Sequence, residues 1–197
     1  MDIVYAKEKI EFKKELNNLD EFTIEFTSVL NKLNITYVIV SGYVSILFGR
    51  NRASEDIDII VDKININKFR DLWNNLSQFE CLEHTKFEDA YEYIINGTAI
   101  RFSRKNKFIP NIEFKFPKKD LEEWVLKNRI KVDINNKTIF ISPIELQIAF
   151  KIYLGSEKDI EDARYLYGLF KDKIDIRLLG EFNQKLKITK KFNIYIK

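Results

Sequence analysis

The sequence predicts an α/β (α+β) protein: a small mixed sheet flanked by helices, followed by a helical C-terminal portion. Three observations carry this. Short runs of β-branched and aromatic residues at Tyr37–Val40, Ile57–Val61 and Ile112–Phe116 have the length and composition of strands. Asn96-Gly97 and Asn135-Asn136 fall between β-rich segments as hairpin turn signals. Apolar residues recur at helical spacing near the start and again from Ser142 onward.

Taken in order, residues 5–33 read as one or two amphipathic helices. Ile10, Phe12, Leu16 and Leu19 form one apolar set, and Phe22, Phe26, Leu30 and Leu33 another, with Asn17, Asn18 and Asp20 marking a break. Tyr37–Val40 is a buried strand, Gly42 a turn, and the stretch to Phe48 a short helix. A second buried strand follows at Ile57–Val61. Asn67 caps a helix to Leu76. Tyr91–Ile95 and Thr98–Phe102 form a hairpin around Asn96-Gly97. In Ile112–Phe116 the apolar residues alternate with Glu113 and Lys115, as in a half-buried strand. A helix spans Lys118–Lys127, and a second hairpin spans Ile130–Ile141. Ser142-Pro143-Ile144-Glu145 opens a helix that Gly155 stops. Ser156 caps another to Phe170, and a last one runs over Asp175–Leu186. Residues 1–141 thus form a core with N-terminal helices, and 142–197 a helical portion packed on it.

With 45% apolar and 32% charged residues, the 197-residue chain has the makeup of a soluble globular protein. Lys and Arg number 33 against 30 acids, and a net charge of +3 does not argue for a nucleic-acid partner. Lys185, Lys187, Lys190, Lys191 and Lys197 form an acid-free tail that reads either as a polyanion contact or as a solvated, frayed terminus. Cys81 is the single cysteine, which excludes an internal disulfide and fits a reducing compartment. The charged opening segment does not read as a signal peptide. The longest apolar run, Tyr37–Phe48, falls short of the roughly 20 residues that cross a bilayer. The expectation is a cytoplasmic protein without membrane contact.

The chemistry concentrates between Ser41 and Asp58. Residues two apart on a strand share a face, so Asp56 and Asp58 project together, about 6–7 Å apart by strand rise. Two carboxylates so placed suit hard divalent cations such as Mg2+. Asp-x-Asp is a weak motif alone. It gains weight because it opens an apolar strand, where bare acids are costly unless paired or metal-bound. The bland alternative pairs them with Arg50 and Arg52. Those arginines otherwise suit bidentate phosphate contacts. Ser41-Gly42-Tyr43, at a strand–turn–helix junction, offers backbone N–H groups to a phosphate. His84 lacks metal partners, and Trp73 and Trp124 sit at core spacing.

Strand, glycine, helix, and then Arg52-Ala53-Ser54-Glu55-Asp56-Ile57-Asp58 leading into a strand resemble the nucleotidyltransferase superfamily of the DNA polymerase beta fold. The resemblance is strongest over residues 37–62. More loosely, over 111–166, Ser142–Leu146, Lys151, Lys158, Asp159 and Asp162 are similar to the branch of AbiEii-like abortive-infection toxins. The resemblance implies metal-dependent transfer of a nucleoside monophosphate from a nucleoside triphosphate to an acceptor such as tRNA, a protein or a small molecule. It implies two Mg2+ ions (or Mn2+) on Asp56, Asp58 and a third carboxylate. Glu113 fits that role by position, with Asp133 as the competitor. It implies a nucleotide site of Ser41, Gly42, Tyr43, Arg52, Ser54, Lys151 and Asp159, and a toxin-type role with a cognate antitoxin. Tyr43 departs from the family's second small residue and cannot supply a serine hydroxyl, with Ser41 or Ser45 as substitutes. That departure favours the alternative of a catalytically silent nucleotide- or nucleic-acid-binding protein on the same fold.

Overall fold

The computed structural model describes residues 3–6 and 9–196. Among the described residues, nine strands form one mixed sheet: β1 (Val4–Ala6), β2 (Lys9–Phe12), β3 (Tyr37–Val40), β4 (Asp56–Val61), β5 (Phe79–Cys81), β6 (Ile100–Arg104), β7 (Asn111–Lys115), β8 (Ile130–Ile134) and β9 (Lys137–Ile141). The helices are α1 (Asn18–Lys32), α2 (Gly42–Leu47), α3 (Ile66–Asn75), α4 (Phe87–Ile95), α5 (Asp120–Lys127), α6 (Ile144–Leu154), α7 (Glu157–Phe170), α8 (Ile176–Lys185) and α9 (Thr189–Tyr195). The strand order is β1-β2-β8-β9-β3-β4-β7-β6-β5.

The central strands fix the site. β4 pairs antiparallel with β3 and parallel with β7, so Val40, Asp58 and Glu113 lie side by side in register. Alternation puts Asp56, Asp58 and Ile60 on one face with Asn111, Glu113 and Lys115, while Ile57, Ile59, Ile112 and Phe114 line the other. The second face packs under α1 and α3, where the Phe26 and Phe69 rings lie 6.4 and 6.3 Å from Phe114. Burying each such ring contributes about 1.5–3 kcal/mol. On the first face, α5 and α6 close over Val40 and Ile60, whereas Asp56 stays exposed.

Several elements depart from the sequence reading. The sheet is larger than expected because residues 4–6 and 9–12 are strands, not helix; positions 7 and 8 lie outside the described residues. Lys9-Ile10-Glu11-Phe12 alternates out and in, and its charges lie beside Lys131 and Asp133 of β8, with Lys9 Nζ 3.0 Å from Asp133. Tyr91–Ile95 is the end of α4, not a hairpin strand. Phe87, Ala90, Tyr91 and Ile94 keep helical spacing, and Gly97 (φ +83°) ends the helix in the left-handed conformation instead of turning a hairpin. Asn65, not Asn67, caps α3 by accepting from the Lys68 N–H. The cap of α6 is Pro143, one residue after Ser142. The basic tail forms α9, pinned by the buried Ile188 and Phe192, with the Phe192 ring 5.8 Å from Tyr167. Its lysines at 185, 187, 190 and 191 stay solvent-facing, and Lys197 lies outside the described residues. Among the described residues, no helix is long and apolar enough to cross a membrane.

Candidate active site

The first half of the site is acidic. Asp58 and Glu113 are cross-strand partners, and Asp56 pairs with Asn111, whose Nδ2 donates to Asp56 Oδ1 at 2.6 Å. Burial raises the Asp58 carboxyl above its ordinary range; the Ser41 hydroxyl and Lys115 oppose this, and Asp56 adds to it. Burial, then repulsion from Asp58, raises Glu113 as well. Half-buried carboxylates that disfavour one another's charge are a setting that a divalent cation relieves, and their oxygens are the donors that Mg2+ prefers. By chemistry the three residues therefore fit the ion. Among the described residues, however, no three His, Cys, Asp or Glu side chains converge into a ready coordination shell. Asp133 lies elsewhere, on β8, held by Lys9, Lys131 and Thr138, so it does not compete with Glu113.

The second half is cationic and centres on a residue that strand logic does not reach. Asp162 of α7 is fully buried. It receives Arg50, Lys151 Nζ at 2.8 Å and Arg52 Nε at 3.4 Å. Lys151 Nζ also reaches Asp159 at 2.8 Å, and Ser156 caps α7 beside it. Burial raises Asp159, but the Lys151 and Ser156 hydrogen bonds outweigh it and hold the carboxyl below its usual value. Arg50 and Arg52 are thus committed to α7 and not to Asp56 and Asp58, which removes the bland reading of the acidic pair. Ser41, Gly42, Arg52, Ser54, Asp56, Asp58, Lys151, Ser156, Lys158 and Asp159 together line a polar cleft of about 220 Å3.

The turn between β3 and α2 joins the halves. Ser41 sits at φ 65°, ψ −139°, a conformation costly for any residue with a Cβ. The Arg52 guanidinium lies directly over Gly42, where a Cβ would come 1.8 Å from Nη2. Gly42→Ala is expected to push that guanidinium off the cleft wall and weaken binding of inorganic tripolyphosphate about tenfold, with the fold retained because only a side-chain end must move. Calorimetric titration checks this.

The Tyr43 side chain does not face the cleft. It is fully buried, and its hydroxyl donates to Asp20 Oδ1 at 2.9 Å, with Lys14 Nζ 2.7 Å from the other oxygen. Burial, then the Asp20 charge, holds the phenol well above its usual value, so it stays a donor. Any part Tyr43 plays with phosphate rests on its backbone N–H. Ser45 is also fully buried and cannot replace the missing hydroxyl, whereas Ser41 lines the cleft. Tyr43→Phe is expected to cost about 2 kcal/mol, lowering the thermal midpoint by about 4–8 °C, with tripolyphosphate affinity unchanged.

Of the residues singled out in the sequence, Ser41, Gly42, Arg52, Ser54, Asp56, Asp58, Lys151 and Asp159 meet in one cleft, and Glu113 adjoins it through Asp58. The sequence offers Asp162 through the resemblance alone, not as the point where Arg50, Arg52 and Lys151 converge, and it misses the partnership of Asn111 with Asp56. The register with β4 carries the signal for Asn111, two positions before Glu113. Asp162 lies three positions after Asp159, on the same helix face.

No protein-family profile matches the chain, and no curated protein matches it. Solved structures do. An antigenic nucleotidyltransferase-like protein from Paracoccidioides brasiliensis is 19% identical, with a TM-score of 0.51 over 92% of this chain and 96% of that one. The antibiotic-resistance factor ANT(2'')-Ia, in complex with adenylyl-2''-tobramycin, is 13% identical, with a TM-score of 0.52 over 84% and 98%. These likenesses show the fold and do not bear on the AbiEii-like branch. The chain has the nucleotidyltransferase fold.

Proposed function

We propose that the protein transfers a nucleoside monophosphate from a nucleoside triphosphate to an acceptor nucleophile. The observation that carries the reading is the pairing of Asp58 with Glu113, beside Asp56, on a sheet face that opens into a cation-lined cleft. Arg52, Lys151 and Lys158 would neutralise the triphosphate, and Ser41, Gly42 and Ser54 would border it. Asp56, Asp58 and Glu113 would hold Mg2+ or Mn2+. Such ions supply charge neutralisation at phosphate and acidify an attacking hydroxyl. Glu113 accepts the acceptor's proton. The acceptor oxygen bonds to the α-phosphorus as the bond to the β-phosphate bridging oxygen breaks, and pyrophosphate leaves.

Tyr43 leaves the hydroxyl of the family's second small residue unsupplied, the feature that favours a silent binding protein, while Ser41 is the hydroxyl at this turn that lines the cleft. The acceptor classes are tRNA, a protein, or a small molecule such as the aminoglycoside in the ANT(2'')-Ia complex. The AbiEii-like resemblance extends the proposal to a toxin-type enzyme with a cognate antitoxin. The test supplies each α-labelled nucleoside triphosphate with Mg2+ or Mn2+ to total RNA, lysate protein and an aminoglycoside panel. Label on one pool with release of pyrophosphate is the expected result. Nucleotide binding without label in any pool would establish the silent reading instead.

A further inference from the structure

We propose that an apolar slot beside the cleft is a nucleobase site, and that Gln147 with Ser142 selects a base whose Watson–Crick edge sets an exocyclic amine next to an unprotonated ring nitrogen, as in adenine and cytosine; this rests on the nucleotidyltransferase reading above. The slot measures about 130 Å3 and lies between α5, α6 and the sheet, walled by Val40, Ile60, Leu121, Val125, Leu146 and Phe150. An apolar cavity of roughly 150 Å3 takes up a benzene ring, so this one has room for a single flat ring with the remainder at its mouth. Ser41 and Lys151 line both the slot and the polar cleft. A ligand with its phosphates among Arg52, Lys151 and Lys158 therefore has its uncharged end at the slot's entrance. Nucleoside triphosphates have that division of charge. Phe150, 40% exposed at the rim, offers a ring face to the base.

Besides Lys151, two buried polar side chains interrupt the apolar wall. Gln147 is 5% exposed and Ser142 1%. Gln147 Nε2 donates to Ser142 Oγ. That bond orients the amide and leaves Gln147 Oε1 as an acceptor and the Ser142 hydroxyl proton as a donor. An acceptor beside a donor complements an amine next to an unprotonated ring nitrogen, the edge of adenine and cytosine. Held in the same orientation, guanine and uracil set a carbonyl against Gln147 Oε1 and an N–H against the Ser142 hydroxyl, so both protein groups are mismatched.

The experiment titrates the protein, with Mg2+, against inorganic tripolyphosphate and the non-transferable α,β-methylene analogues of ATP, CTP, GTP and UTP. The adenine and cytosine analogues are expected to bind about tenfold tighter than the other two. Gln147→Leu is expected to erase that preference while leaving tripolyphosphate affinity as it was. Phe150→Ala, at a half-exposed position where folding is not at stake, is expected to weaken all four nucleotides about tenfold and leave tripolyphosphate unaffected. Equal affinity for the four nucleotides and tripolyphosphate, insensitive to both substitutions, would overturn the slot while sparing the cleft. A preference for the guanine and uracil analogues would overturn the selection by Gln147. Failure of wild-type protein to bind any of the five probes would overturn the slot and the transferase reading together.

Discussion

Asp58→Asn is expected to lower nucleotide transfer by about a thousandfold without unfolding the protein. The side chain keeps its size and loses its charge. Asp58 is half-buried, beside Asp56 on its own strand and Glu113 across the ladder, and that charge disfavours the fold. Removing it is expected to leave the thermal midpoint unchanged or slightly raised, a common result where function holds a costly group in place. The rate loss has a different origin. A charge that stabilises the phosphoryl-transfer transition state in a preorganised site contributes about 10²–10³ in rate, and more where it also holds a metal ion. Initial rates of label transfer, measured beside a melting curve, separate the two effects. A variant that melts like wild type and transfers at the wild-type rate would remove Asp58 from the chemistry.

Asp162→Ala is expected to have the largest effect on stability, about 3–5 kcal/mol, because three cations converge on one fully buried carboxylate. For a chain of this size the thermal midpoint should fall by about 10 °C. Neighbouring Glu161 also pairs with Arg50, at 2.5 Å, but is exposed, so Glu161→Ala is expected to change stability by no more than about 0.5 kcal/mol. Calorimetry of the two variants tests the contrast. Equal melting would show that Asp162 is dispensable to the cleft wall. Loss of tripolyphosphate binding in Asp162→Ala alone would support its role in holding Arg52 and Lys151.

The acidic half of the site was legible because a strand converts sequence spacing directly into geometry. Asp56 and Asp58 two apart, and Glu113 alternating with Ile112 and Phe114, needed only the period of the pleat. Of the cationic half, Arg52 was legible from its place just before the acids, whereas Lys151 and Asp159 were legible only by resemblance, since they reach the cleft by helix packing, which no local pattern encodes. The misread elements have local causes. Ile10 and Phe12 are two apart, a strand spacing that was absorbed into a helical series running on to Leu16. Tyr91–Ile95 carries strand-type residues before Asn-Gly, but Ala90 and Ile94 face the core four apart, and tertiary packing decided for the helix. Tyr43 looked like a defect in a binding motif because sequence position does not say which way a side chain points. Its partner Asp20 lies 23 residues earlier.

The junction at Asp162 also orders events in time. Arg50 precedes it by 112 positions, so the wall that would receive a polyphosphate cannot form until α7 has been synthesised. A nascent chain that has completed β7 carries all three carboxylates, yet its arginines have no anchor. Assembly of the cleft is therefore among the last steps of the protein's biogenesis, and shortening the chain from its C-terminal end should remove phosphate capture before it disturbs the sheet.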